Sequence, residues 1–132
     1  MTVFIDTSAF YALLDRDDDN HSKAKRVWGE VLEQRDTLMT SNYVLVETFA
    51  LLQHRLGTEA VRGFQDDIVP VVHTEFVTPE LHRSGVSALL AASRRNLSLV
   101  DCVSFEVVRA FGVKIVFAFD PHFGEQGFTV KP

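Results

Sequence analysis

The 132-residue chain carries 13 Lys and Arg against 18 Asp and Glu, a formal charge of −5, with one Cys and 46% hydrophobic residues. That is core enough for a single domain over residues 1–132, too little chain for two, and no cysteine pair for a disulfide framework or a Cys-rich zinc site. The acid surplus argues against a nucleic-acid binder that works through overall positive charge, although the placement of the carboxylates counts for more than their sum. In chain order, the apolar run Val3-Phe4-Ile5, closed by Asp6, reads as a strand buried on both faces. Thr7 and Ser8 follow it directly and suit the start of the next helix. After Asn20, a helix N-cap candidate, Ala24, Val27, Trp28, Val31 and Leu32 recur at helical spacing between charged residues. Thr37 to Thr40 is a weaker strand candidate. Ser41 or Asn42 starts a helix carrying Leu45, Phe49, Leu52 and Leu56 that stops at Gly57.

Thr58 caps a short helix bearing Val61 and Phe64, and Val69 to His73 is a second weak strand candidate. Thr78-Pro79 places a cap before a proline at the first helical position and opens a segment with Leu81, Ala88, Leu89 and Ala92. Ser98, with Asp101 where a capping-box acid belongs, begins a helix through Val103, Val107 and Phe111 to Gly112. Lys114 to Phe119 is another apolar strand run, closed by Asp120. Strands alternating with helices predict an α/β fold, a three-layer α/β/α sandwich around a mainly parallel sheet. No basic-then-apolar leader and no run near the ~20 apolar residues of a membrane span is visible, and the lone Cys102 fits a reducing compartment, so a cytoplasmic protein is expected.

In open α/β sheets the ligand site lies beyond the carboxyl ends of the strands, at a topological switch point. Asp6 and Asp120 each close a strand run, and neighbouring parallel strands would bring them to one edge. Glu47, early in the helix after Ser41, and Asp101, in the first turn of the last helix, occupy positions that face the same edge. Glu47 is the most telling, because Tyr43 to Leu52 is apolar on almost every other side and a lone carboxylate there is costly unless paired or metal-bound. Four converging carboxylates repel one another, and a divalent cation resolves the conflict. With no Cys cluster and no His at ligand spacing, oxygen ligation suits Mg²⁺ or Mn²⁺ better than zinc. Thr7, Ser8 and, one turn beyond Asp101, Ser104 are hydroxyls placed to orient the acids.

These residues carry a resemblance. Val-Phe-Ile-Asp6-Thr-Ser, the isolated Glu47, Ser98-Leu-Val-Asp101-Cys-Val-Ser104-Phe and Phe-Ala-Phe-Asp120-Pro-His122-Phe123, with Gly127-Phe128 following, resemble the PIN-domain family over essentially the whole chain. Within that family, the size and the absence of added modules resemble the VapC-type ribonuclease toxins of toxin–antitoxin pairs. The resemblance implies Mg²⁺-dependent endonucleolytic cleavage of RNA, with Asp6, Glu47, Asp101 and Asp120 as the catalytic, metal-binding acids. It also implies a cognate antitoxin protein and a homodimer. Ala118 departs from the pattern, since relatives often carry Thr or Ser two residues before the last acid. The alternative is a non-catalytic module of the same fold that binds RNA or a protein, against which the retention of all four acids argues.

Other features carry less. Asp15, Asp17 and Asp19 mimic a calcium loop, but Asn20 stands where its turn glycine belongs and Arg26 where its closing acid belongs. Arg94 and Arg95, just ahead of the segment bearing Asp101, are the first candidates for contact with RNA phosphates. His122, two residues after Asp120, is placed to touch substrate RNA or a carboxylate, or simply to form the turn or pack there. Cys102 lacks a neighbour to activate it and reads as a small core residue.

Overall fold

The computed structural model describes residues 1–132. Five strands, β1 (Thr2–Ile5), β2 (Thr37–Ser41), β3 (His73–Glu75), β4 (Ile115–Phe117) and β5 (Thr129–Lys131), form one sheet in the order β3-β2-β1-β4-β5. Every pairing is parallel, with Val3 opposite both Leu38 and Ile115. Seven helices connect the strands: α1 (Thr7–Leu14), α2 (His21–Glu33), α3 (Asn42–Arg55), α4 (Thr58–Gly63), α5 (Pro79–Ala92), α6 (Leu99–Ala110) and α7 (His122–Glu125). The result is the expected α/β/α sandwich. The chain builds β1, β2 and β3 outward in one direction and returns to place β4 on the other side of β1, so the switch point lies between β1 and β4.

The two central strands are buried because their residues are apolar on both faces: Val3, Phe4, Ile5, Val116 and Phe117 are fully enclosed. They belong to a core of 26 buried residues that also takes Phe10 from α1, Phe64 from the turn after α4 and Phe123 from α7. Local signals set most helix starts. Ser41 accepts a bond from the Val44 amide, Thr78 from the Leu81 amide ahead of Pro79, and Ser98 forms a capping box with Asp101. Asn42 does not cap α3; its side chain accepts from the Val77 amide and ties the start of that helix to the loop after β3.

Two strand expectations shift. The segment expected as a strand over Val69 to His73 is a 3-10 turn over Val69–Val71, and β3 begins only at His73. Pro70 lacks the amide hydrogen a ladder needs, so pairing starts beyond it. Strand β4 spans Ile115–Phe117 rather than running to Phe119, although the Ala118 amide still bonds to the Lys131 carbonyl. Three elements escape the periodicity. Helix α1 is apolar on nearly every side and offers no contrast of faces, while α7 and β5 have only 4 and 3 residues. At the start of α4 the N-cap is Gly57, at φ 91°, and Thr58 is the first helical residue.

Helices α5 and α6 pack closely because Gly85 has no side chain. A Cβ there would lie 2.4 Å from Cγ2 of Val103 and 3.2 Å from its backbone N and Cα. Turning the Val103 side chain would not relieve the tight backbone contacts, which need the helices to part slightly, and Val103 is two residues from Asp101. Gly85→Ala is therefore expected to destabilise the protein by about 1–2 kcal/mol, overpacking outweighing the gain in helix propensity. Urea unfolding measures this; a variant as stable as the wild type contradicts the close α5–α6 approach.

Candidate active site

Asp6 sits where β1 becomes α1, as the N-cap of that helix. Its Oδ2 accepts bonds from the Ser8 amide at 3.1 Å and the Ser8 hydroxyl at 2.7 Å. The same hydroxyl oxygen accepts from the Phe119 amide at 3.0 Å. Ser8 thus stitches the end of β1 to the loop after β4, one residue from Asp120. Asp120 is fixed in turn by the His122 amide, which donates to its Oδ1 at 2.9 Å. Asp101 is held by its capping box, its Oδ2 accepting from the Ser98 amide at 3.1 Å. Glu47 lies on the second turn of α3, half-buried. Thr7 next to it is buried, donating to the Val44 carbonyl at 3.4 Å and touching the Thr48 hydroxyl at 3.3 Å.

The electrostatics link all four acids. Burial pushes the Asp6 carboxyl up to about 6, the bonds from Ser8 oppose that rise, and the charges of Asp101 and Glu47 add to it. Glu47 is also raised, first by burial and further by Asp101 and Asp120, with the Thr7 hydroxyl drawing it the other way. Carboxylates of one sign enclosed together disfavour their own ionisation, and a divalent cation reverses that.

The donor set fits such an ion. Asp101, Asp120 and His122 bring ligand-type atoms within 4.8 Å of one another. Two buried side-chain polar atoms, Ser104 Oγ and His122 Nδ1, have no hydrogen-bond partner. His122 is buried on α7, its Nδ1 lying 2.9 Å from Asp120 Oδ1 and 3.3 Å from Asp101 Oδ2. Its ring thus lies against the two carboxylates. Ser104 is enclosed one turn beyond Asp101, as its spacing requires. Arg94 and Arg95 are exposed in the link between α5 and α6, and Arg94 meets Glu125 of α7 at 3.1 Å. Cys102 is buried, and burial raises its thiol pKa, as a core residue's should be.

Clefts abut the acids. One of about 380 Å³ is lined by Asn42, Tyr43, Val46, Glu47 and Val100. Another, of about 340 Å³, has Lys23, Phe119, Asp120 and Pro132 among its walls. A larger cavity between α5 and α6 touches none of the four acids.

A family model described as the PIN domain matches residues 3–128. The chain belongs to the PIN-domain family. It is 38% identical over 132 residues to the 23S rRNA-specific endonuclease VapC20 of Mycobacterium tuberculosis, covering 98% of each chain. The crystal structure of that protein, described as a sarcin-ricin loop cleaving toxin, superposes with a TM-score of 0.88 at 36% identity, over 98% of this chain and 99% of that one. A VapC ribonuclease of Aquifex aeolicus is 25% identical over 97% of this chain and 95% of its own. The VapBC2 complex of Rickettsia felis, bound to a promoter DNA fragment, shares the fold, with a TM-score of 0.72 at 12% identity over 99% of this chain and 98% of that one. No helix is long and apolar enough to cross a membrane.

The raised Asp6 carboxyl has a stability consequence in metal-free protein. Its folded pKa, about 6, exceeds the ordinary 3.8, so the folded state holds the proton more tightly. Stability falls as pH rises between those two values, and the loss is complete above about 6. Asp6→Asn removes the penalty. With a chelator present, the variant is expected to be the more stable protein near pH 8, by at most about 3 kcal/mol. The advantage disappears toward pH 4. Urea unfolding across that range checks it, and a pH-independent difference contradicts the assignment.

Proposed function

We propose that the chain is a divalent-cation-dependent endoribonuclease, the toxin of a toxin–antitoxin pair. The observation that carries this reading is the placement of Asp6, Glu47, Asp101 and Asp120 at the carboxyl edge of the sheet, where Asp101 and Asp120 bring ligand-type atoms within 4.8 Å of each other. Family membership and near-full-length similarity to a 23S rRNA-specific endonuclease support it. In this reading the four acids hold Mg²⁺ or Mn²⁺. When bound, such an ion lowers the pKa of a water for attack on a phosphodiester and offsets charge on the leaving oxygen.

The chain's own residues position the reaction. Ser8 holds Asp6 and, through the Phe119 amide, sets the loop that presents Asp120. The Ser98 capping box fixes the rotamer of Asp101. Thr7 braces α1 against α3 beside Glu47. The clefts at Glu47 and Asp120 offer an apolar wall for a base and the Lys23 ammonium for a neighbouring phosphate. Exposed Arg95 is a further phosphate contact; Arg94 contributes less, because Glu125 already pairs with it. The antitoxin, in this reading, covers the acidic edge, and two copies of the chain pair.

Purified protein incubated with 23S ribosomal RNA and with total RNA, in Mg²⁺, tests the proposal. Discrete cleavage products are expected from wild type, abolished by chelation, and slowed roughly a thousandfold or more by Asp6→Asn or Asp101→Asn, since several kcal/mol of transition-state stabilisation go with the ion. Equal products from wild type and either variant, or none from wild type, contradict it. Arg95→Ala should weaken RNA binding and flatten its salt dependence without changing metal affinity.

A further inference from the structure

We propose that His122 Nδ1 is a direct ligand of the divalent cation, alongside Asp101 and Asp120, which gives the site a nitrogen donor and a preference for Mn²⁺ over Mg²⁺. The inference rests on the reading that these acids bind a cation, and it changes the expected donor set from oxygen alone to oxygen and nitrogen.

Three observations carry it. The His122 side chain is 8% exposed, too enclosed for its Nδ1 to be satisfied by bulk water. Nδ1 has no hydrogen-bond partner although two carboxylate oxygens lie 2.9 and 3.3 Å away. Asp120 Oδ1 is already aligned with the backbone amide of His122, and Asp101 Oδ2 with that of Ser98. An unaligned nitrogen at such distances makes a poor hydrogen bond. It does, however, match the edge of a coordination polyhedron: ligand atoms about 2.1 Å from one ion and at right angles to each other stand about 3 Å apart. The ring is also held in place. Phe123, the next residue, is fully buried between Phe4 and Phe105, and Arg94 pairs with Glu125 at the far end of α7.

Nitrogen donors discriminate between the two ions. Mg²⁺, a hard ion that dehydrates reluctantly, gains little from exchanging a water for imidazole, whereas Mn²⁺, a softer transition-metal ion, gains more. The His122 ring therefore raises affinity for Mn²⁺ selectively.

Mn²⁺ alone, added at one equivalent to the full chain, is the probe. Pulsed electron paramagnetic resonance on wild type should show coupling of the bound Mn²⁺ to a ¹⁴N nucleus, and ¹⁵N-histidine labelling should shift it. His122→Gln should lose that coupling and bind Mn²⁺ at least about tenfold more weakly. His122→Asn, which keeps an oxygen near the Nδ1 position, should hold Mg²⁺ within about threefold of wild type while losing the Mn²⁺ preference. Tight Mn²⁺ binding to wild type without nitrogen coupling, or coupling that persists in His122→Gln, overturns the assignment and leaves the carboxylate site standing. Failure of wild type to bind Mn²⁺ overturns both.

Discussion

Burying a carboxylate is costly, and in this protein the cost falls chiefly on Asp6, which is enclosed at the junction of β1 and α1 with the charges of Asp101 and Glu47 adding to it. Protein contacts offset part of the cost: two bonds from Ser8 to Asp6, the capping box at Asp101 and the backbone amide at Asp120. Each is local, from a residue two or three positions away. None of these contacts supplies positive charge, and the buried Asp6 keeps a raised pKa in spite of them.

The fold creates this arrangement through its topology. Because β1 is central and β4 returns on its far side, the chain ends of those two strands flank the switch point, and Asp6 and Asp120 follow them. Helices α3 and α6 then bring Glu47 and Asp101 toward the same edge. The height of α6 is set partly by its approach to α5 over Gly85, and the loop of Asp120 by the bond between Ser8 and Phe119. The geometry of the acidic site and the packing of the core thus share contacts.

Much of this was legible in the residues. An acid closing an apolar strand run marks the sheet edge, which located Asp6 and Asp120, and an acid among apolar helix residues marked Glu47. The spacing of Ser98 and Asp101 announced a capping box that the structure contains. What stayed hidden depends on contacts between distant segments. Nothing near Ser8 in sequence reveals its bond to Phe119, 111 residues away. The two-residue spacing puts His122 beside Asp120, but its approach to Asp101 on another helix leaves no trace in the sequence. The late start of β3 follows from Pro70, a signal present in the sequence but outweighed there by the run of valines.

The central claim is that these acids form one cation site in which Asp6 must give up its proton. Calorimetric titration of the metal-free protein with Mg²⁺, in buffers of different ionisation enthalpy, measures the protons released per ion bound. Release should be substantial near pH 6, where the buried Asp6 carboxyl is about half protonated. It should fall toward zero around pH 8 and be reduced in Asp6→Asn. Binding without proton release near pH 6, or no binding at all, contradicts the account.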